Sequence, residues 1–573
     1  MSVNKKIENH YDAVIIGSGF GGSVMAYRLA EAGLNVCVLE RGKKYPPGDF
    51  PRSPDKMKKN FWDPSEGLYG MFNIWSFRDI AAVVSSGLGG GSLIYANVLI
   101  RKDEKWFVKE DIKQGGYEYW PVNRQELDPH YDCVEKMLNA QKYPFNHPPY
   151  NNTPKTQALQ FAAKELDLDW YLPNLAVTFA NDGQQPVTGE PIEEKHRNLH
   201  DRTRYTCRLC GECDIGCNYG SKNTLDYNYL SEAKRHGAEL KTLCEVRSFQ
   251  PQDTKGYIIQ YVEHNLDREG KKTKTGDLPL HTITANQLIL TAGALGSTYL
   301  LLKNKTHFPS LSEKLGTRFG GNGDLINFAL KAKRKIDGSY GTVITSTIRM
   351  PDELDGGEGR GFYLQDAGYP DFVNWMLEMT EAPGNIRRQL GFILRWLGAS
   401  ITKTGLVDSN LSEEISELLF GKTELSSTLL PLLGMGRDLP DGIMRLRQDR
   451  KGKEQLDVIQ NFKQSQPFFQ KLRNTMKDVA QQLGAKYIDN PLWFLQRTIA
   501  AHPLGGCPMG RNKDEGVVDS HGEVFDYPGF FIADGSVMPG PVGPNPSLTI
   551  AALADRFAQK VIANHKQNTP PKP

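Results

Sequence analysis

The chain has 573 residues, of which 39% are apolar and 24% charged, a length and composition typical of a globular protein with a sizeable core. Lys and Arg number 69 against 67 Asp and Glu, and the net charge of +2 gives no electrostatic case for binding nucleic acid. The sequence has no apolar run long enough for a transmembrane helix and no secretory signal, so we expect a cytoplasmic protein.

Residues 11–42 have the pattern of a β-α-β unit. Apolar runs predict buried strands at residues 13–16 and 36–39, and a helix is predicted between them at residues 23–32. Gly33 follows the predicted helix as a stop signal. A unit of this kind and length is a building block of Rossmann-type sheets, so it predicts an α/β fold.

A glycine cluster separates the first predicted strand from the helix. Gly17, Gly19 and Gly22 follow the G-x-G-x-x-G spacing, which allows a tight turn, close approach of a pyrophosphate and close packing of helix on strand. Glu40 ends the second strand, where its carboxylate can accept hydrogen bonds from an adenosine ribose. An acid at this position disfavours the 2′-phosphate of NADP, so the unit predicts NAD or FAD.

The rest of the chain gives a coarser pattern. A second glycine loop, SSGLGGGS, covers residues 85–92. Between residues 325 and 489 the pattern changes to alternating strands and Leu-rich stretches, and Phe392–Leu397 and Leu429–Leu433 are predicted as helical. A C-terminal helix is predicted at residues 547–563, ahead of a tail rich in Pro and Lys.

Four of the eight cysteines form a compact run, C-x2-C-x2-C-x3-C. Cys207, Cys210, Cys213 and Cys217 have the spacing of bacterial ferredoxin loops, which hold an iron–sulfur cluster. Zinc sites more often use two C-x-x-C pairs that are further apart, and Asn218 stands where ferredoxin loops usually have Pro. An iron–sulfur cluster, zinc, and free or bridged thiols therefore remain open.

Motifs along the whole chain resemble those of glucose–methanol–choline (GMC) oxidoreductases. The matching strings are HPLGGCPMG at residues 502–510, FFIADGSVMPGPVGPNPSLTIAALADR at 530–556 and SGLGGGSLIYANVLI at 86–100. The string FGGNGD at residues 319–324 is similar to the cholesterol oxidase branch of that family. The order of these motifs also follows that of the family.

The resemblance implies a two-domain α/β fold. A Rossmann-type domain would bind FAD and carry an inserted α+β domain for the substrate. The expected division is a FAD-binding domain from residues 1–110, 200–325 and 490–565, a connecting region at 111–199, a substrate domain at 326–489 and a tail at 566–573.

His502 and Asn545 are the candidate catalytic residues. Alcohol oxidation requires removal of the hydroxyl proton, and an imidazole suits that task near neutral pH. Asn545 and Pro546 precede a predicted helix as cap and first residue, so the positive helix end could face a flavin. In the family, the His and Asn that match these positions face the substrate hydroxyl. The candidate cofactor-binding residues are Gly17, Gly19, Phe20, Gly22, Glu40, Gly89, Gly90, Gly91, Ser92, Val246, Asp534, Gly535, Asn545 and Pro546.

The sequence departs from the cholesterol oxidase pattern in two places. Those enzymes carry a glutamate base in the substrate domain, but the aligned position here is Pro370, with Asp366 and Asp371 as nearby substitutes. Tyr95 also stands where those enzymes usually have Asn. The departures put a cholesterol-type substrate and any coupled isomerisation in doubt.

These features predict an FAD-dependent enzyme that oxidises the CH–OH group of a lipophilic, sterol-like alcohol. The alternatives are a flavin lyase or photodecarboxylase on the same fold and a non-catalytic flavin electron carrier. The expected electron acceptor is dioxygen, or a quinone or cytochrome if the cysteines hold a cluster. A peripheral contact with a membrane surface is a further expectation, because lipophilic substrates partition there.

Overall fold

The protein is described here by a computed structural model. It describes residues 9–52, 58–111, 115–253, 255–370, 427–448, 452, 454–490 and 498–568. Its α-helices are labelled in chain order as α1 (Phe20–Glu31), α2 (Arg124–Met137), α3 (Pro154–Glu165), α4 (Tyr229–Arg235), α5 (Gly293–Lys303), α6 (Gln466–Gln482) and α7 (Ser547–Asn568).

A seven-stranded sheet organises one half of the molecule, called the FAD-binding half because it contains the β-α-β unit predicted to bind FAD. The strand Val36–Leu39 and the second part of the strand His10–Ile16 are continuous apolar runs, as expected for strands that helices cover on both faces. Helix α1 packs against α4 and α7, and α7 packs against α2. The strand order across the sheet is Glu239–Lys241, Val36–Leu39, His10–Ile16, His281–Leu290, Tyr257–Glu263 and Cys244–Pro251, with Phe530–Ile532 also paired to His281–Leu290.

Two glycines allow α1 to pack directly against the ends of these strands. Gly17 has φ +100°, and a Cβ atom there would lie 2.4 Å from the Thr291 carbonyl oxygen. A Cβ on Gly22 would lie 2.1 Å from the carbonyl oxygen of Gly17. Larger residues would push the helix away from the sheet, which confirms the packing role that the motif predicts for Gly22.

A six-stranded antiparallel sheet forms the second half of the molecule. Helices α3 and α6 cover one face of this sheet and share an apolar core with it. Its strand Asp169–Tyr171 comes from the region between residues 111 and 199, so this half draws on more of the chain than residues 326–489. The order is Asp169–Tyr171, Ile344–Met350, Phe362–Ala367, Leu430–Gly436, Leu325–Leu330 and Lys486–Ile488.

Smaller sheets fill the surface around these two. One of their strands, Thr498–Ala500, leads into the segment that contains His502. The paired strands are Phe72–Ser76, Ile80–Ser85 and Thr498–Ala500; Val98–Leu99, Asn174–Leu175 and Gln141–Lys142; Trp62–Asp63 and Leu68–Tyr69; Val108–Glu110 and Tyr117–Tyr119; and Ile443–Gln448 and Glu454–Ile459.

Two predicted elements differ from the structure. Helix α1 begins at Phe20, not Ser23, so its first turn contains glycine despite the poor helix propensity of that residue. A Cβ atom on Gly21 would lie 1.5 Å from the Ala533 carbonyl oxygen, so this close fit requires glycine. Leu429–Leu433 is not helical, since Leu430–Gly436 is a buried strand. A short apolar run does not distinguish a buried strand from a buried helix.

The other Leu-rich stretch, Phe392–Leu397, lies outside the described residues. Helix α7 starts at Ser547 as predicted and continues to Asn568, into the segment predicted as a tail. Across the described ranges, no helix is both long enough and apolar enough to cross a membrane.

Candidate active site

The first glycine loop forms an open cradle at the start of α1. Gly19 is the residue that precedes the helix, and it has no side chain to cap the first N–H groups. A Cβ on Gly19 would meet no protein atom within 4 Å. The helix end therefore offers free N–H donors and a partial positive charge beside open space, which is an arrangement that binds phosphate.

Glu40 lies next to this cradle. Its carboxylate accepts hydrogen bonds from the Ser18 backbone N–H (3.0 Å), the Ser18 hydroxyl (2.7 Å) and the Gly42 N–H (2.8 Å). These bonds fix the buried carboxylate directly after its strand. Val246 lies in the edge strand Cys244–Pro251, two residues after Cys244, whose N–H donates to the Glu40 carbonyl oxygen (2.8 Å).

The second glycine loop packs directly on the first. Gly90 has φ +52°, and a Cβ there would lie 2.5 Å from the Gly19 Cα atom. The Gly89 N–H donates to the Ser18 hydroxyl (3.1 Å), and the Ser92 hydroxyl accepts from the Leu225 N–H (3.1 Å). The two loops thus form one continuous surface on which a dinucleotide cofactor could lie.

Asp534 follows a strand of the FAD-binding sheet, as the sequence predicts. Its carboxylate accepts hydrogen bonds from Ser297, Ser536 and the Gly293 N–H. Burial raises the pKa of Asp534, and the serine donors oppose that rise. Its neighbour Gly535 accepts from the Gly505 N–H (2.9 Å), which ties this turn to the segment after His502.

His502 forms a tight pair with Asp324. The His502 Nδ1 atom lies 2.7 Å from Asp324 Oδ1, while Asp324 Oδ2 accepts from the backbone N–H groups of Ala501 and His502 (2.7 and 2.8 Å). A carboxylate at this distance fixes the proton on Nδ1 and fixes the ring orientation. Nε2 is then the nitrogen that can accept a proton.

The same short segment positions Asn545. The Asn322 side chain donates to the carbonyl oxygens of Gly543 and Pro544 (3.2 and 3.1 Å) and accepts from the Gly543 N–H (2.9 Å). Asn322 and Asp324 are two residues apart, so one segment holds both the loop before Asn545 and the ring of His502. The FGGNGD string therefore connects the two candidate catalytic residues.

Gln365 also contacts Asn545. The Gln365 Nε2 atom donates to Asn545 Oδ1 over 2.8 Å, and both side chains are buried. Helix α7 begins two residues after Asn545, and Pro546 stands between them. The Asn545 amide is therefore directed to the substrate-domain sheet, a contact that the capping interpretation does not include.

Sequence reasoning missed Gln365. All six residues of its strand, Phe362–Ala367, are buried, so no alternation of polar and apolar residues marks the two faces. The available signal is the amide itself, because a buried glutamine in a buried strand needs a hydrogen-bond partner.

Asp366 points to the opposite face of the same strand. Its carboxylate accepts from the N–H groups of Thr345 and Ser346 (3.1 and 2.7 Å) and pairs with Lys155 of α3 (3.4 Å). These partners make it part of the packing between sheet and helix and not a base near His502. Asp371 lies outside the described residues.

A recess next to the His502–Asp324 pair contains a second buried carboxyl group. Asp324, Asp438 and Ala500 line this recess. Asp438 is buried, its Oδ1 atom has no hydrogen-bond partner in the described part of the chain, and burial raises its pKa to about 7. Asp438 is therefore a further titratable group within the site that the sequence did not reveal.

The comparisons with known proteins agree with this arrangement. Residues 440–554 match the C-terminal family model described as GMC oxidoreductase. The chain belongs to the GMC oxidoreductase family. Residues 15–50 match a model described as NAD(P)-binding Rossmann-like domain, in agreement with the α/β fold.

Full-length relatives place this GMC oxidoreductase on the cholesterol oxidase-like branch. It is 29% identical to a cholesterol oxidase of Mycobacterium tuberculosis, with 96% of this chain and 90% of that protein covered. It is 27% identical to a cholesterol oxidase of Acinetobacter baumannii, with coverages of 97% and 95%. The solved structure of Aspergillus oryzae formate oxidase has the same fold, with a TM-score of 0.61, 14% identity and coverages of 98% and 100%.

Family membership resolves the choice between NAD and FAD that the β-α-β unit leaves open. GMC oxidoreductases are FAD-dependent enzymes that act on CH–OH donors, and this chain is one of them. The residues fit the cofactor, since an uncapped helix end, the open space at Gly19 and the contact between the two glycine loops form one cradle.

Proposed function

We propose that this enzyme oxidises the CH–OH group of a lipophilic, sterol-like alcohol, with His502 as the base. The observation that carries the proposal is the segment FGGNGD. Through Asp324 it orients His502, and through Asn322 it holds the loop that leads to Asn545. A proton acceptor and an amide that can bind a hydroxyl are what this reaction needs beside a hydride acceptor.

His502 would remove the hydroxyl proton of the substrate. The Asp324 carboxylate holds the proton on Nδ1, so Nε2 presents a lone pair to the alcohol. As the ring takes up the proton, the same carboxylate stabilises the imidazolium that forms. Bound FAD supplies the hydride acceptor for the alcohol carbon.

Asn545 would orient the alcohol for this proton transfer. Its Oδ1 atom accepts from the Gln365 amide, and one Nδ2 hydrogen is directed to Gln365 Oε1 over 3.5 Å, so the other Nδ2 hydrogen can be directed to the substrate oxygen. Gln365 is thus a positioning residue, because it acts on the alcohol only through Asn545.

Replacing Gln365 by Leu should slow flavin reduction by roughly 10- to 100-fold, because a small misplacement of a substrate-orienting group has an effect of that size. The change should lower kcat more than it raises KM, since an alcohol oxygen still fits the pocket. Stopped-flow measurement of flavin bleaching gives both values. Gln287→Leu is the matched control, because Gln287 is a buried strand glutamine in the FAD-binding sheet. An unchanged bleaching rate in Gln365→Leu would remove this residue from the site.

The likeness to two cholesterol oxidases supports a lipophilic substrate. The Leu-rich stretch predicted to line or cover an apolar pocket, Phe392–Leu433, gives no further support. Its part before residue 427 lies outside the described residues, and its end is a strand of the substrate-domain sheet.

Anaerobic bleaching of the flavin tests the proposal. We expect sterols or long-chain alcohols to reduce bound FAD and glucose to do so far more slowly. Faster bleaching by glucose than by any lipophilic alcohol would contradict the substrate class. Bleaching by no alcohol would favour the electron-carrier alternative, and light-dependent loss of CO2 from a carboxylic acid would favour the photodecarboxylase.

The electron acceptor and the cellular site complete the proposal. Dioxygen would make the protein an oxidase, whereas a quinone or cytochrome would make it a dehydrogenase. We place the enzyme in the cytoplasm, with peripheral membrane contact as the route by which a lipophilic alcohol reaches it.

A further inference from the structure

The cysteines of the ferredoxin-like run meet at one place in the fold. Cys207, Cys210, Cys213 and Cys217 all line a single recess next to the FAD-binding half. We propose that this recess holds an iron–sulfur cluster that receives electrons from the alcohol oxidation and passes them on singly. The site is inferred from its own residues, whereas the source of the electrons rests on the proposed function.

The backbone of the loop accounts for the convergence. Leu209, Gly211 and Gly216 have φ values of +60°, +67° and +88°, and these left-handed positions turn the chain back on itself between the cysteines. In ferredoxins with two clusters, the fourth cysteine of such a run serves the other cluster. Here the fourth cysteine, Cys217, lines the same recess as the other three.

The arrangement favours a cluster over a single metal ion. Among the described residues, no three His, Cys, Asp or Glu side chains are placed to hold one ion. A zinc ion needs its sulfur ligands about 2.3 Å from one centre, which brings the sulfurs close together. In a cluster each thiolate binds a different iron, so its sulfur ligands stand further apart than those of one zinc ion.

The polar groups around the recess suit an anion. Lys222, Arg208 and Glu212 line it, and Glu212 is paired with Arg52 (2.7 Å). The buried Lys222 ammonium donates to carbonyl oxygens of Cys213, Leu93 and Tyr95 (2.5, 2.9 and 3.0 Å). A buried ammonium needs negative charge nearby, and cluster thiolates would supply it.

Two hydrogen-bond donors also face the sulfur atoms or the recess. The Leu209 N–H donates to Cys207 Sγ over 3.5 Å. The Ser221 hydroxyl is buried in the recess wall without a hydrogen-bond partner in the described part of the chain. Donors of this kind stabilise the negative charge on cluster sulfurs and tune the reduction potential.

The loop is held rigidly on both sides. Arg52 donates to the carbonyl oxygens of Ile215 and Gly216 and pairs with Glu212 (2.7 Å). On the other side, the Gly211 N–H donates to the Gly341 carbonyl oxygen (2.9 Å). Such anchoring preorganises the four thiols for a cluster and would be unnecessary for a flexible surface loop.

Lys222 connects the recess to the cofactor cradle. Its acceptors Leu93 and Tyr95 directly follow the second glycine loop. The Tyr95 ring lies 5.3 Å from the ring of Phe20, the first residue of α1, and Lys222 Nζ lies 5.0 Å from the Tyr95 ring. Tyr95 and Lys222 therefore lie between the cofactor cradle and the recess, and would be on the route of electrons that pass from bound FAD to a cluster.

The electron balance defines the acceptor class. Oxidation of one alcohol to a carbonyl releases two electrons and two protons. The cluster carries one electron at a time, as its irons change formally between the ferric and ferrous states. Two equivalents of a one-electron acceptor, such as a haem protein, are reduced for each alcohol, and both protons pass to the solvent.

Metal analysis of anaerobically purified holoenzyme tests the site. We expect iron and acid-labile sulfide in equal amounts, several irons for each FAD, and a broad absorbance beneath the flavin bands. If purification loses the cluster, anaerobic addition of ferrous iron and sulfide should restore it. Protein that holds full FAD but binds no iron after this treatment, or that holds stoichiometric zinc, would overturn the proposal.

Substitutions test whether the iron is bound by the thiols of this recess or by other thiols of the protein. Cys210→Ser should lose most of the iron and keep FAD, and Lys222→Met should keep the iron but alter the reduction potential of the cluster. Cys133→Ser is the matched control, because Cys133 is an exposed free thiol on α2. Iron retained in Cys210→Ser and in Cys213→Ser would contradict the ligand assignment.

The rates of flavin bleaching and of ferricenium reduction test the electron route separately from the proposed alcohol oxidation. Cys210→Ser should bleach its flavin with alcohol at the rate of the unchanged protein, yet reduce ferricenium at least tenfold more slowly. Equal ferricenium rates would contradict the electron route. Iron and sulfide in a protein whose flavin no alcohol bleaches would leave the site intact and overturn the alcohol as electron source.

Discussion

His502→Ala should retain FAD and slow flavin reduction by an alcohol by roughly 10²- to 10⁴-fold, the usual contribution of a positioned acid–base group. Within the described ranges the imidazole forms one hydrogen-bonded pair, with Asp324, and the substitution removes that pair. Anaerobic stopped-flow absorbance measures the reductive rate, and the flavin spectrum of the purified variant measures FAD content.

Asp324→Asn tests the same site without removing the imidazole. An amide that donates to Nδ1 would move the ring proton to Nε2, where no lone pair would remain for the alcohol. We therefore expect a loss similar in size to that of His502→Ala. A double variant should be little slower than either single one, because both remove the same base.

The control for these variants is His130→Ala. His130 pairs with Asp555 over 2.6 Å, but it lies on α2 against α7, remote from the loop of His502. Its loss should lower the melting temperature and leave the reductive rate per bound FAD unchanged. Equal rates in His502→Ala and the unchanged protein would show that His502 is not the base.

The nucleotide half of the protein could be predicted well because its signals are local. Gly22 packs on Gly17, and the strand at 36–39 pairs with the strand that precedes Gly17, so these contacts lie within about 30 residues of sequence. Cofactor identity required the resemblance, since the same β-α-β unit serves NAD and FAD. The family model and the relatives confirm that resemblance.

The substrate side could be predicted only in part, because its contacts join distant segments. Asn545 and Gln365 are 180 residues apart, and His502 and Asp324 are 178 apart. Asp324 lay within a string chosen for its resemblance, but nothing in that string indicates that its carboxylate holds an imidazole. Gln365 and Asp366 lie on opposite faces of the strand Phe362–Ala367. The packing of α3 on this strand decides which residue lies on which face, because Lys155 of α3 pairs with Asp366.

Gly19→Val should give folded protein without FAD. The backbone at Gly19 has φ −69°, which valine adopts without strain, and the new side chain would meet no protein atom at its Cβ. Its bulk would instead occupy the space beside the free N–H groups of α1, where the pyrophosphate must come close to the backbone. The variant thus tests for a steric clash with the cofactor alone, because the new side chain makes no clash with the protein at its Cβ atom.

Thermal unfolding with and without added FAD measures the effect. A ligand that binds the native state raises its stability by RT ln(1 + [L]/Kd), so the unchanged protein should melt at a higher temperature when FAD is added, and Gly19→Val should not. Gly276→Val is the matched control, because Gly276 is exposed and a Cβ there also meets no atom within 4 Å. Since both apoproteins gain the same side chain in open space, they should melt alike, and only the control should respond to FAD. Full FAD occupancy in Gly19→Val would show that the pyrophosphate does not lie at this helix end.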